Sequence, residues 1–215
     1  MHVWIRPPEP AELRLRYAEL TREFIEEKET TGKTPSCKWP RIGTEDGGTE
    51  TIQELLSRHT IEHCSYCDSI MRYSSRDTID HFQPKSRFPE LAYNWGNLYL
   101  CCDGCQRKGI DYDPNVLRPD ESGYSFAQYF RYCRDGVISV VAINDIDRQR
   151  ARITITVLKL DHKDLEKNRQ QEFNLNLKQR RRPIRPGLDQ RTALLRDEAM
   201  KVTYDHLPYR DFYAD

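Results

Sequence analysis

The chain lacks any apolar run approaching the length of a bilayer span, and its first ten residues contain no hydrophobic signal core. Both absences point to a soluble, cytoplasmic protein with no membrane contact. It also lacks a charge excess: Lys plus Arg equals Asp plus Glu at 34 each. Phosphate contacts dominate nucleic-acid affinity, so a chain that grips nucleic acid unaided is normally basic. Any basic surface here is therefore local, or a partner supplies part of the grip. Seven cysteines, an odd number, exclude a closed disulfide framework. No internal repeat is present. Apolar residues are scarce at 37% against 32% charged, yet twelve Tyr, seven Phe and three Trp argue against general disorder. A modest core with charged helices outside it is expected from 215 residues.

Residues 11–28 set Leu13, Tyr17, Leu20, Phe24 and Ile25 at helical spacing behind Pro10, which predicts an amphipathic helix. A stretch punctuated by Gly32, Pro35, Pro40, Gly43, Gly47 and Gly48 reads as loop, and residues 49–59 as a short helix. Residues 124–142 read as two strands about an Asp135-Gly136 turn. Residues 145–159 suit a helix, although the ITITV run within them favours strand. Charged helices are expected over 161–177 and 189–203, separated by Pro183 and Pro186.

Four of the cysteines form two pairs, Cys64-Ser-Tyr-Cys67 and Cys102-Asp-Gly-Cys105. Each pair in a tight turn aims two thiolates at one ion, and two such turns complete a tetrahedral zinc site. Four protein ligands leave no open position, so this zinc is expected to be structural. Cys101 beside Cys102, and His63 beside Cys64, are alternative ligands. Cys37, Cys101 and Cys133 otherwise read as buried or free thiols.

The enclosed segment carries three further features. Asp80-His81 ends a short strand (Thr78, Ile79) and is followed by Pro84. Asn97-Leu98 comes two residues after Trp95 and opens a second apolar strand, residues 98–101. Gln106 directly follows the last ligand cysteine, where a helix could begin. This order, spanning residues 62–109, resembles the HNH or ββα-metal endonucleases. The text IDHFQPKS followed by NWGNLYLCCDGC is similar to the branch containing the Septu anti-phage nuclease and retron-associated nucleases.

The resemblance implies an α+β fold: a zinc-bound ββα-metal core over 61–115, an N-terminal helical segment over 1–60, and a hairpin and helical extension over 116–215. It implies hydrolysis of phosphodiester bonds, DNA before RNA, leaving 5′-phosphate and 3′-hydroxyl ends. His81 would be the general base, a role for which an imidazole titrating near neutrality is suited. Asp80 and Gln106 would hold a catalytic Mg²⁺ or Mn²⁺, and Asn97 would orient the loop carrying His81. Gln106 departs from the family pattern, which has Asn or His there, and the following lysine falls one residue early. An ATPase partner in antiviral defence is a further implication, which zero net charge accommodates.

Lys85, Arg87, Arg107 and Lys108 lie nearest the motif and are candidates for holding substrate. The basic run KQRRRPIR at 178–185 reads first as a solvated helix end. Asp161-His162 and Asp205-His206 lack the bracketing cysteines and read as surface or capping residues. The competing interpretation is a catalytically inactive, zinc-stabilised module that binds nucleic acid or protein.

Overall fold

Pro10 ends an extended arm, and its missing N–H costs nothing at a helix start. The chain turns there into α1 (Ala11–Thr31), which buries Leu13, Leu20, Thr21 and Phe24 on one face. Gly32 closes the helix in the left-handed region, its N–H reaching the Lys28 carbonyl. The computed structural model describes residues 1–71 and 78–180. The helix expected over 189–203 and Asp205-His206 lie outside the described residues, and the basic run 178–185 extends past them.

The Gly-rich stretch after α1 folds into a small antiparallel hairpin, β1 (Ile42–Gly43) with β2 (Thr49–Glu50). The helix expected from residue 49 starts later, as α2 (Ile52–His59). The reason is a capping box: the Thr51 side chain accepts from the Glu54 N–H, and the Glu54 carboxylate accepts from the Thr51 N–H. Ile52, Leu55 and Leu56 are buried, and α2 packs against β4 (Leu98–Cys101).

The centre is an antiparallel pair, β3 (Thr78–His81) and β4, followed by α3 (Asp103–Gln106). Its register sets Thr78 opposite Cys101 and His81 opposite Leu98. This is the expected strand–strand–helix core of an α+β fold. One detail differs: α3 begins inside the second cysteine pair, because Cys102 is already its extended N-cap, so Gln106 ends the helix rather than opening it.

Beyond the core come α4 (Phe126–Tyr129), the hairpin β5 (Phe130–Tyr132) and β6 (Ile138–Val140), α5 (Asp145–Val157) and α6 (Lys163–Arg180). The ITITV run is helical. Asn144 caps α5, and Ala151, Thr154 and Leu158 lie in the core. The Thr154 hydroxyl donates to the Arg150 carbonyl and accepts from the Leu117 N–H. Tertiary packing thus outweighs the β preference of Ile and Thr.

Both flanks are pinned to β4. Arg6 donates to the Trp95 and Leu98 carbonyls at 2.7 and 2.9 Å and pairs with Asp120 at 2.6 Å. Asp120 also accepts from the Tyr99 hydroxyl at 2.6 Å. One apolar cluster runs from Met1 to Leu165, with Trp95 and Tyr99 inside it.

The C-terminal hairpin is locked by Arg169, which is fully buried and donates to the Gly136 carbonyl at 2.6 Å and the Leu160 carbonyl at 2.8 Å. Gly136 has φ +85°, and a Cβ there would meet the Glu166 carbonyl oxygen at 1.9 Å. Gly136→Ala should therefore cost about 2–4 kcal/mol of stability. Gly123→Ala, also at positive φ (+77°) but with no atom within 4 Å, should cost only about 1–2 kcal/mol. Urea denaturation of the two variants checks the difference; equal losses would mean that the α6 contact is not tight.

Candidate metal and active site

The first cysteine turn is closed by the Asp68 N–H donating to the Cys64 carbonyl at 2.9 Å, with Asp68 at φ 61°. It is joined to the second pair by the Ser65 N–H donating to the Leu100 carbonyl and the Cys102 N–H approaching the Cys64 sulfur at 3.5 Å. The result is a buried cluster of Cys64, Cys67, Cys102 and Cys105 with all four sulfurs within 4.8 Å of one another. The Cys67 and Cys102 sulfurs are 3.6 Å apart. Four sulfurs at about 2.3 Å from a central zinc would be separated by about 3.8 Å, so the donor set fits that ion.

The protonation pattern agrees. Burial opposes ionisation of Cys64, yet hydrogen bonds from the neighbouring thiols outweigh it and draw this thiol well below its usual range. Sharing with Cys102 pushes the Cys67 thiol up, and sharing with Cys101 does the same to Cys105. A dication would supply the charge that all four sulfurs need to ionise together. The cluster can hold a structural zinc with Cys102, not Cys101, as third ligand; the Cys101 sulfur turns to the Cys102 carbonyl at 3.4 Å. His63 is directed to the Ile61 carbonyl at 2.6 Å.

Asp80, His81 and Gln106 line one cleft of about 240 Å³, together with Ile79, Lys85 and Ile110. His81 is buried, with Nε2 2.8 Å from the Ala92 carbonyl. A carbonyl only accepts, so Nε2 carries the proton and Nδ1 keeps its lone pair. Burial pushes the imidazole down to about 4, the Ala92 bond raises it slightly, and Lys85 and Lys108 add to the depression. Asn97 ties the loop that follows. Its Oδ1 accepts from the Gln83 N–H at 2.7 Å, and its Nδ2 donates to the Gln83 and Leu91 carbonyls at 3.0 and 3.1 Å.

The Asp80 Oδ2 accepts from the Tyr66 hydroxyl at 2.7 Å and the Lys108 ammonium at 2.8 Å. Its Oδ1 has no hydrogen-bond partner among the described residues. Burial pushes the Asp80 carboxyl up, with Lys108 and Tyr66 pulling it back. Gln106 can be oriented from its neighbour. The Thr78 hydroxyl donates to the Cys101 carbonyl at 3.1 Å, so its oxygen accepts from Gln106 Nε2. The Gln106 Oε1 is left without a partner among the described residues.

The basic residues divide. Lys108, expected to face substrate, is instead buried, with its side chain 1% exposed, and also bonds the His81 carbonyl at 2.8 Å. Ending α3 at Gln106 turns it beneath the strand, and a buried Asp80 requires a counter-charge. Lys85 lines the cleft but is engaged by the Pro35 carbonyl at 2.9 Å and the Cys37 sulfur at 3.6 Å. Arg87 is exposed, beside Phe88. Arg107 is exposed too, but meets His162 and Asp164 at the start of α6. The sequence reading missed Tyr66, Cys37 and Trp39, the last of which stacks on His81. Tyr66 stood in plain view between two ligand cysteines; nothing in the local sequence links residues 37 and 39 to residue 81.

Metal analysis of the purified chain should find one zinc, lost in Cys102→Ser and Cys105→Ser and retained in Cys101→Ser; retention in the first two would exclude the assigned ligand set. His81 also makes stability depend on pH. The folded imidazole protonates near pH 4 and the unfolded one near 6.5. The unfolded state therefore binds more protons between those values, and the contribution is complete above about pH 6.5 and lost as pH falls toward 4. Between pH 7.5 and 4.5 the wild type should lose about 2–3 kcal/mol more than His81→Gln in urea unfolding; parallel losses would show that His81 titrates normally.

Residues 64–109 match the family model for HNH endonuclease. Two relatives carry the name Septu protein PtuB. The one from Bacillus thuringiensis is 26% identical over 187 residues, covering 80% of this chain and 66% of the relative. The one from Bacillus mycoides (strain KBAB4) is 30% identical over 116 residues, covering 47% and 38%. The chain thus spans just under two-thirds of the first relative and well under half of the second. Among the described residues no helix is long and apolar enough to cross a membrane. The strand–strand–helix unit with its four cysteines thus lies within a stretch that is similar to the HNH endonucleases, in a chain whose wider likeness is to Septu protein PtuB.

Proposed function

We propose that this chain is a metal-dependent endonuclease that hydrolyses phosphodiester bonds of nucleic acid, DNA in the first place, and that it serves anti-phage defence alongside an ATPase partner. The observation that carries the reading is that three residues lining one cleft each keep an atom without a hydrogen-bond partner among the described residues: His81 Nδ1, Asp80 Oδ1 and Gln106 Oε1. One nitrogen base beside two hard oxygen donors suits water activation next to a divalent cation.

In this reading the neutral His81 Nδ1 takes a proton from water as its oxygen attacks phosphorus. The bond from phosphorus to the 3′ oxygen breaks, and that oxygen takes a proton from solvent, leaving a 5′-phosphate and a 3′-hydroxyl. Asp80 Oδ1 and Gln106 Oε1 would hold Mg²⁺ or Mn²⁺, which when bound supplies charge stabilisation at the phosphate. Lys108 keeps Asp80 ionised and fixed, and Asn97 keeps the loop after His81 in register. The exposed Arg87 and Arg107, each following a cleft-lining residue, are the better candidates for backbone phosphates.

The nuclease core in this proposal is 61–115, a span that contains the HNH match, with 1–60 and 116–215 as its N- and C-terminal extensions. A structural zinc in the cysteine cluster and a cytoplasmic setting go with it, since thiolate ligands need reducing surroundings. Zero net charge supports help from a partner in gripping the substrate, and the likeness to Septu protein PtuB supports the defence role.

Plasmid DNA and RNA offered side by side with Mg²⁺ or Mn²⁺ test the reading. His81→Ala should cut at least about 10²-fold more slowly while zinc content and thermal stability persist. If no preparation cuts either substrate, alone or with an ATPase from the same genetic neighbourhood, the chain is a zinc-stabilised binding module instead.

A further inference from the structure

The imidazole of His81 has two neighbours that do not belong to the matched HNH stretch. Trp39 lies over it with ring centroids 6.1 Å apart and planes 21° from parallel. The Cys37 sulfur lies 3.8 Å from Nε2 and the same distance from the Ala92 carbonyl oxygen that Nε2 bonds. Both residues belong to the segment after α1, twenty-odd positions before the HNH match begins. We propose that Trp39, assisted by Cys37, is a positioning residue for His81: it holds the ring in the plane that keeps the Nε2 proton on Ala92 and the Nδ1 lone pair toward the cleft.

The segment is built to be held still. The Lys38 N–H donates to the Tyr93 hydroxyl at 2.7 Å, and Tyr93 meets Trp39 edge-on at 5.2 Å and Phe24 of α1 at 6.2 Å. Lys85, from the loop after His81, closes the other side by bonding the Pro35 carbonyl at 2.9 Å and approaching the Cys37 sulfur at 3.6 Å. The α1 residues Lys28 and Tyr17 reach the Ser86 and Glu90 carbonyls at 2.7 and 2.8 Å, tying the helix to the same loop.

The physical need is plain. A single hydrogen bond from Nε2 fixes one direction of an imidazole but leaves the ring able to rotate about it, or to flip and present its other nitrogen. A flat indole in offset stacking removes the rotation, and a sulfur at the Nε2 edge fills the space a tilted ring would enter. Neither group touches the reacting atoms. The inference rests on the nuclease reading for its consequence, but the ring's orientation can be measured without any cleavage.

The test uses the full-length, zinc-loaded chain in three forms: wild type, Trp39→Leu and Trp39→Phe. Long-range proton–nitrogen spectra of the imidazoles report the tautomer, with the His81 signals identified by their loss in His81→Gln. Wild type should show one Nε2–H tautomer, Trp39→Leu a mixture, and Trp39→Phe a return to one. In plasmid cleavage, kcat should fall about tenfold to a hundredfold in Trp39→Leu, with KM moving by less than about threefold and Trp39→Phe restoring most of the rate. An unaltered His81 spectrum in a folded Trp39→Leu chain overturns the proposal, as does a Trp39→Phe chain no better than Trp39→Leu. Should Trp39→Leu lose zinc or fail to fold, Cys37→Ala removes the sulfur alone; tautomer mixing there supports the proposal, and an unchanged imidazole overturns it. If the spectra behave as stated while no form cuts nucleic acid, the positioning stands and the nuclease reading falls.

Discussion

Four sulfurs gathered within 4.8 Å in the interior impose the condition on which the rest of the core depends. β3 and β4 are four residues each and α3 is a single turn. A two-stranded hairpin and a one-turn helix are each marginal in water. Joining the turn that precedes β3 to the turn that begins α3 makes them one body. The same sulfurs cannot all ionise together without a cation, so a bound ion would couple the shape of the hairpin to metal binding. The same hairpin carries Asp80 and His81 at the end of β3, which inherit whatever rigidity the cluster provides.

Charge in the cleft is arranged by a second buried contact. Lys108 bonds both the Asp80 carboxylate and the His81 carbonyl, so one ammonium spans two consecutive residues of β3. Removing either partner of such a buried pair strands the other, at a cost of about 3–5 kcal/mol. Tyr66 adds a third tie, from between the first two cysteines to Asp80. The cysteine cluster and the cleft are thus connected through Tyr66 as well as through the strands. Outside this core, Arg6 with Asp120 behind β4, and Trp39 with Lys85 around the His81 loop, show the flanking segments acting as walls of the core rather than as separate attachments.

Much of the core could be read from the sequence because its signals are local. Cys-x-x-Cys pairs, an Asp-His before Pro84, and Asn97 at the start of an apolar run each depend only on near neighbours, and their order identified the HNH resemblance. Helices with strong boundary residues, such as α1 behind Pro10, were equally legible. The ITITV run was not, because its helix is decided by which side of Thr154 meets the core. The start of α3 was misplaced for a related reason: a cysteine serving as N-cap looks like any other cysteine until the backbone is seen.

What the sequence determined by itself was therefore the inventory and order of the chemistry: four thiols in two pairs, one bracketed imidazole, a carboxylate beside it and an amide after the last cysteine. Only the tertiary structure decided which atoms of those groups remain free. Lys108 turned inward to Asp80, Gln106 was oriented by a hydroxyl across the hairpin, and a tryptophan some forty residues upstream of His81 came to lie on its ring. Each of these is a contact between segments remote in sequence, set by how the layers close on one another, and no local pattern of residues encodes such a closure.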